Sequence, residues 1–328
     1  MYNNITDING VTVGHASDFK GYTGCTVVLF EQGAIGGVDI RGTATSTRQI
    51  DGLRVLHLID TINGILLTGG SAFGLDAAGG VLRYLEEKGK GYDVKVTKVP
   101  IVPTAALFDL AFGDPYARPT MEMGYEAAEN AVNGVIAEGS VGAGTGATIG
   151  KLYGMKHAMK GGIGSASVRG EKGLIVGAIV AVNAFGDVID PRTGEIMAGA
   201  RKSNKSTEFV NSSLQIRQGV IRERLGEMNT TLCVIATNAK LLKPNVTKVA
   251  QMGQVGLSRT ISPLHSTFDG DIIFAFSLGK IDANVNTVGL LGEEAIKQAV
   301  INAIKKADGF GIIPSHKEIF SLNEEKLK

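Results

Sequence analysis

Tryptophan is missing altogether, proline occurs only 8 times in 328 residues, and there are two cysteines, Cys25 and Cys233. Two cysteines cannot supply the disulfide framework that staples small secreted domains. Both sit inside apolar, strand-like runs, where a free thiol packs as a small buried hydrophobe. No apolar run reaches the roughly 20 residues that span a bilayer. The opening Met1-Tyr2-Asn3-Asn4-Ile5-Thr6-Asp7 has neither the basic start nor the apolar stretch of a leader peptide, so a cytoplasmic location and no membrane partner are expected. Formal net charge is only +1, without long runs of either sign, which argues against a nucleic-acid groove. The five histidines, His15, His57, His157, His265 and His316, show no ligand-like spacing, so no metal is expected.

What is abundant is glycine, 45 residues where average usage would give roughly 23. Tight turns and close backbone approaches follow. With 44% hydrophobic residues the chain can fill a substantial core as one folded unit, 1–328. Strands are expected at 8–15, 25–30, 34–40, 64–68, 174–182, 232–237 and 272–277, several of them apolar enough to be buried on both faces. Helices are expected from a Ser71 N-cap to a stop at Gly89, over 121–132, over 246–257, and over 290–307 with Ala295, Ile296, Ala299, Val300, Ala303 and Ile304 as a packing face. Residues 201–228 carry Arg201, Lys202, Lys205, Arg217, Arg222 and Arg224 among Ser and Asn, a composition of solvated loop or short surface helix.

Two glycine-rich segments invite nucleotide readings and fail them. Gly142 to Lys151 completes neither G-x-x-x-x-G-K-[ST] nor G-x-G-x-x-G, so no nucleotide cofactor is expected and the segment, Gly144 included, reads as a backbone-lined wall. Gly69-Gly70-Ser71-Ala72-Phe73 lacks the second glycine of a serine-hydrolase elbow, which leaves Ser71 as a cap.

Chemistry concentrates instead at Asn229-Thr230-Thr231, where a polar segment meets the apolar run Leu232 to Thr237. A threonine pair before a strand is ordinarily β-propensity and turn chemistry. If the bond after Asn229 were cut, however, Thr230 would carry both a hydroxyl nucleophile and, in its own α-amine, a base titrating near pH ~8. Asn183, at the end of a buried strand, is either a turn residue or an amide held to stabilise an oxyanion. Asp269 and Asp271 stand two apart at a strand entrance, as turn residues or as a pair that orients a hydroxyl and an ammonium.

Gly69 to Ala78, Ala105 to Leu110, Lys160 to Ser167, Val182 to Asp187, and Asn229-Thr230 followed by Ala236-Thr237-Asn238-Ala239 together resemble the self-cleaving L-aminopeptidase/D-esterase (DmpA) family, which includes β-peptidyl aminopeptidases and nylon-oligomer hydrolases. The likeness covers nearly the whole chain. It implies an α+β fold, a four-layer αββα sandwich, cut between Asn229 and Thr230 into chains 1–229 and 230–328 and assembled as a homotetramer. It implies Thr230 as nucleophile, Asn183 as oxyanion donor, Asp269 and Asp271 as the acidic pair, and an active-site lysine at Lys151 or Lys160, Lys151 being preferred. Phe108 stands where the aminopeptidases carry an oxyanion-binding tyrosine, and with Gly144 it is expected to line the substrate site. The implied activity is hydrolysis of amide bonds, and of esters, in small peptides or amino-alkanoate oligomers. The alternatives are an acyltransferase of the ornithine-acetyltransferase type and a non-catalytic binding protein on the same scaffold.

Overall fold

A computed structural model describes residues 1–220 and 229–326. Nine strands form its main hydrogen-bonded network: β1 (Val11–Asp18), β2 (Thr23–Ile40), β3 (Ser46–Arg48), β4 (Thr61–Thr68), β5 (Thr104–Ala106), β6 (Gly162–Arg169), β7 (Ile175–Asn183), β8 (Thr230–Ala239) and β9 (Ile272–Ile281). Their order is β6-β7-β8-β9-β2-β4-β5-β3, with β1 paired to β2. Among the described residues six α-helices accompany them: α1 (Ala78–Glu87), α2 (Met121–Glu129), α3 (Ser212–Arg217), α4 (Lys243–Ser258), α5 (Val285–Lys305) and α6 (His316–Lys326).

Strand alternation sorts most of the buried apolar residues into three large cores, and three cores make four layers. Ala16, Val27 and Leu66 pack against α1 and α2 through Val81, Leu85, Ala127 and Ala128. On the far side of the molecule, Val176, Val180, Cys233, Ile235 and Ile273 pack against Val249 and Leu257 of α4 and Ile296, Ala299 and Val300 of α5. Between them, Val13, Val28, Phe30, Ile65 and Leu67 meet Ile179, Ala181, Leu232, Val234, Phe274 and Phe276, sheet against sheet. The expected αββα arrangement is thus built by side-chain parity. Each of these buried side chains is worth roughly 1.5–3 kcal/mol, so a one-residue slip of β8, which would exchange its two faces, is strongly disfavoured.

One strand joins the two sheets. The 18-residue β2 pairs with β1 over residues 23–30, with β4 over 25–29 and again at Ala34 and Ile35, and with β9 from Ile35 to Ile40. The sequence suggests two strands here. Gly33, at φ +77°, produces a bulge that redirects the strand without ending it, and its pairing with β4 shifts register between Leu29 and Ala34.

Other expectations need correction. Ser71 is not a cap: Gly70 holds that position at φ +77°, Ser71 itself sits at φ +54°, and its amide donates to Leu107 O while no side chain caps the turn. The first turns, Ser71–Ala77, are 3-10, and α1 proper starts at Ala78. Gly89 does end it, at φ +63°. α2 stops at Glu129, because Val132 is drawn into a backbone bridge with Val13. α5 starts earlier than its apolar face suggests, with the Asn284 side chain accepting from Asn286 N. α6 has no counterpart in the sequence reading. Within 201–228, α3 is the short surface helix expected, but Arg201 is only 3% exposed; Arg222 and Arg224 lie outside the described residues. Cys25 and Cys233 are free and buried, and burial pushes the Cys25 thiol up to about 12. No helix among the described residues is long and apolar enough to cross a membrane.

Candidate active site

Thr230 is the first residue of β8, and both neighbours of that strand bring chemistry to it. On one side β7 runs antiparallel, placing Asn183 opposite Thr230. On the other side β9 runs parallel, with Leu232 opposite Ile272 and a bridge between Asn229 and Asp269, so Asp269, Gly270 and Asp271 lie alongside Asn229, Thr230 and Thr231. Parity does the rest. Thr230 shares the face of Leu232 and Val234, and Asn183 that of Ile179 and Ala181, so both project between the two sheets.

The Thr230 hydroxyl donates to Asn229 O at 2.6 Å, and the Gly270 amide donates to the same oxygen at 2.7 Å. Gly270 is required by space: a Cβ there would lie 2.5 Å from Ala44 O and 2.9 Å from Thr230 Oγ1. Asp271 is fully buried; its Oδ1 accepts from Thr231 N at 2.7 Å, and its Oδ2 faces the His265 amide at 3.2 Å and His265 Nδ1 at 3.0 Å. Asp269 is 1% exposed and accepts from Ser266 Oγ at 2.5 Å, Ser266 N at 3.0 Å and Phe185 N at 3.3 Å. Burial, and then the charge of Asp271, push its carboxyl up to about 6.

Asn183 is fixed at both ends of its amide. Its Oδ1 accepts from Lys151 Nζ at 2.8 Å and Thr148 N at 2.9 Å, and its Nδ2 donates to Phe108 O at 2.9 Å. Lys151 reaches it because Gly150 N and Lys151 N bond to Gly186 O and Phe185 O, laying that segment along the end of β7. Lys160 is elsewhere. Its Nζ donates to Gly144 O, Ala147 O and Gly161 O at 2.8, 2.9 and 3.1 Å, and burial pulls it down to about 7 against the attraction of Asp109 and Asp308. Gly144 is accordingly engaged with Lys160 and is not among the residues lining the cavity beside Asn183. That cavity is lined by Phe108, Asp109, Ala111, Phe112, Thr148, Lys151 and Met155 and measures about 10 Å³, room for roughly one water.

The structure therefore gathers Asn229, Thr230, Asn183, Asp269, Asp271, Lys151 and Phe108 at one place and leaves Gly144 and Lys160 outside it. Sequence reasoning missed Gly270, whose contribution is a backbone N–H, and His265 and Ser266, which hold the two carboxylates. Their signal was their nearness to Asp269 and Asp271.

The sequence profile of peptidase family S58 matches residues 3–315. The chain belongs to peptidase family S58. It is 37% identical to an uncharacterized aminopeptidase of Mycobacterium leprae, over 97% of this chain and 94% of the relative. A 6-aminohexanoate-oligomer endohydrolase of Kocuria is 29% identical over 91% of this chain and 85% of its own. Among solved structures, a protein of Pyrococcus horikoshii superposes with a TM-score of 0.73 at 26% identity, covering 98% of this chain and 93% of that one. The L-aminopeptidase D-Ala-esterase/amidase of Ochrobactrum anthropi, described as a variant of the Ntn hydrolase fold, superposes with a TM-score of 0.71 at 21% identity, over 99% and 94% of the two chains. The S58 chain is a hydrolase of the aminopeptidase and amidase kind on an α+β fold of that type.

Proposed function

We propose that this S58 hydrolase matures by cutting itself between Asn229 and Thr230 and then works as an N-terminal threonine amidase. The observation that carries the reading is the Thr230 hydroxyl lying 2.6 Å from Asn229 O while Gly270 N–H holds that same oxygen at 2.7 Å. In the first stage Thr230 Oγ bonds to the Asn229 carbonyl carbon and the C–N bond breaks. The hydroxyl proton passes to the departing nitrogen, which becomes the α-amine. Water then hydrolyses the ester, releasing chains 1–229 and 230–328. Gly270 N–H is placed to stabilise the oxyanion of that step.

In turnover the freed amine deprotonates Thr230 Oγ, which attacks the carbonyl of a small peptide or amino-alkanoate amide. The amine product leaves with that proton, and water regenerates Thr230. Asp269 would pair with the Thr230 ammonium, and Asp271 orients the strand start through Thr231 N. Asn183, with one N–H committed to Phe108 O, offers its amide to the substrate oxyanion, and Lys151 keeps the potential there positive. Phe108 supplies no hydroxyl. One missing oxyanion donor is worth roughly 3 kcal/mol, so its backbone and Asn183 carry more of this task here.

The test is the intact mass and N-terminal sequence of purified protein. Dividing 34.3 kDa by residue count, chains of about 24 and about 10 kDa are expected, the smaller beginning Thr-Thr-Leu-Cys. Thr230→Ala is expected to remain one inactive chain; cleavage after Asn229 in that variant would sink the assignment.

A further inference from the structure

A second cavity, of about 420 Å³, adjoins the one beside Asn183 and shares Ala111, Phe112 and Met155 with it as a common wall. Its remaining lining is Lys156, Arg201, Asn204 and the segment Ile312-Ile313-Pro314. The size is that of a small-molecule site. Ala111, Phe112, Met155, Ile312, Ile313 and Pro314 give it an apolar side, its polar side is Lys156, Arg201 and Asn204, and among the described residues no carboxylate lines it.

Arg201 is unusual. It is 3% exposed, yet among the described residues no acid faces it: Nη1 donates to Asn204 O at 2.7 Å and Ser206 O at 3.5 Å, and Nη2 to Lys156 O at 2.9 Å and Ala158 O at 3.3 Å. Its Nε is buried and has no partner among the described residues. Burial pulls the guanidinium pKa down, and no carboxylate among the described residues offsets it. Buried cations are ordinarily paired, because leaving one uncompensated costs several kcal/mol. Four backbone carbonyls orient this one without neutralising it.

The geometry points to a carboxylate-binding subsite: the apolar walls take the aliphatic part of a substrate's leaving portion, and Arg201 with Lys156 takes its free carboxylate. This rests on the reading of Thr230 as nucleophile, since Asn183 links that residue to the inner cavity through Phe108, Thr148 and Lys151. The substrate class that follows is a short, free-acid peptide or amino-alkanoate, not an internal segment of a long chain. Met155, unbranched and half-buried, is the side chain suited to move aside between the two cavities.

Titration of the purified protein with hexanoate and with 1-hexanol separates this inference from the catalytic one, because neither probe contains an amide. Hexanoate is expected to bind at least about ten-fold more tightly, the preference falling to about one in Arg201→Met and by a few-fold in Lys156→Met. Lys156 is exposed, so its variant reports even if Arg201→Met fails to fold. Equal affinity for the two probes, an unchanged preference in Lys156→Met, or an unchanged preference in a folded Arg201→Met would each overturn the subsite. Turnover of leucyl-alanine against its carboxamide is the second measurement. A free-acid preference lost in the same variants supports the assignment. Hexanoate binding without such a preference overturns it. Hexanoate binding without turnover of either dipeptide supports the carboxylate site and counts against Thr230 as nucleophile.

Discussion

A carboxylate 1% exposed, between a serine, a backbone amide and a second carboxylate, ionises against its surroundings, and Asp269 does so at about 6 in place of 3.8. Folding therefore favours its acid form. That contribution is complete below about pH 4 and is lost as pH rises through about 6. The rise corresponds to at most roughly 3 kcal/mol. In an uncleavable Thr230→Ala background, Asp269→Asn is expected to flatten the fall in unfolding free energy between pH 4 and pH 7 by up to that amount; parallel curves from denaturant titrations would refute it. Much of this constellation is legible in the sequence, because Thr230, Asn183, Asp269 and Asp271 carry chemistry in their side chains and stand at the ends of apolar runs. Gly270 is not, since a backbone amide donor has no residue type. Arg201 is not either: its polar neighbours suggest solvent, and only the packing of 156–158 against 201–206 buries it.

At the scale of elements, Lys160 is the pin of the glycine-rich segment 142–150. Its ammonium gathers Gly144 O, Ala147 O and Gly161 O; Gly144 O also accepts from Ala147 N at 3.3 Å and Ala147 O from Gly161 N at 2.8 Å. Lys160→Met should take one donor from each of these buried carbonyls while sparing the backbone bonds to two of them, and cost about 1–3 kcal/mol, read as a lower unfolding midpoint of the same uncleavable chain. A change under about 1 kcal/mol would mean that water replaces the ammonium. The periodic elements, α5 above all, are visible in the sequence because one apolar face suffices to define them. Two failures have local causes. Gly33 looks like the end of a strand but only bends β2, and Gly70 takes the cap position that Ser71 suggests. α6 carries a weakly apolar sequence whose helicity depends on what it packs against.

Across the whole molecule, the proposed cut separates strands that remain neighbours. In the order β6-β7-β8-β9-β2, the piece 230–328 supplies only β8 and β9, and the piece 1–229 supplies the strands on either side. The bond at Asn229 is aligned only when β7 and β9 already flank β8, so cutting must follow folding. After unfolding in denaturant and dilution, the uncut Thr230→Ala chain is expected to recover its native far-ultraviolet dichroism, and the cut protein to recover much less. Equal recovery of the two would show that the pieces can find each other unaided.

The 18-residue strand shared by both sheets gives that difference a direction in time. Because β2 anchors β9 in one layer and β1 and β4 in the other, the small piece has to be inserted into the large one. On the proposed cut, maturation would resemble a latch that engages once: the active enzyme would persist by a high barrier to escape, the information needed to rebuild it being discarded with the peptide bond.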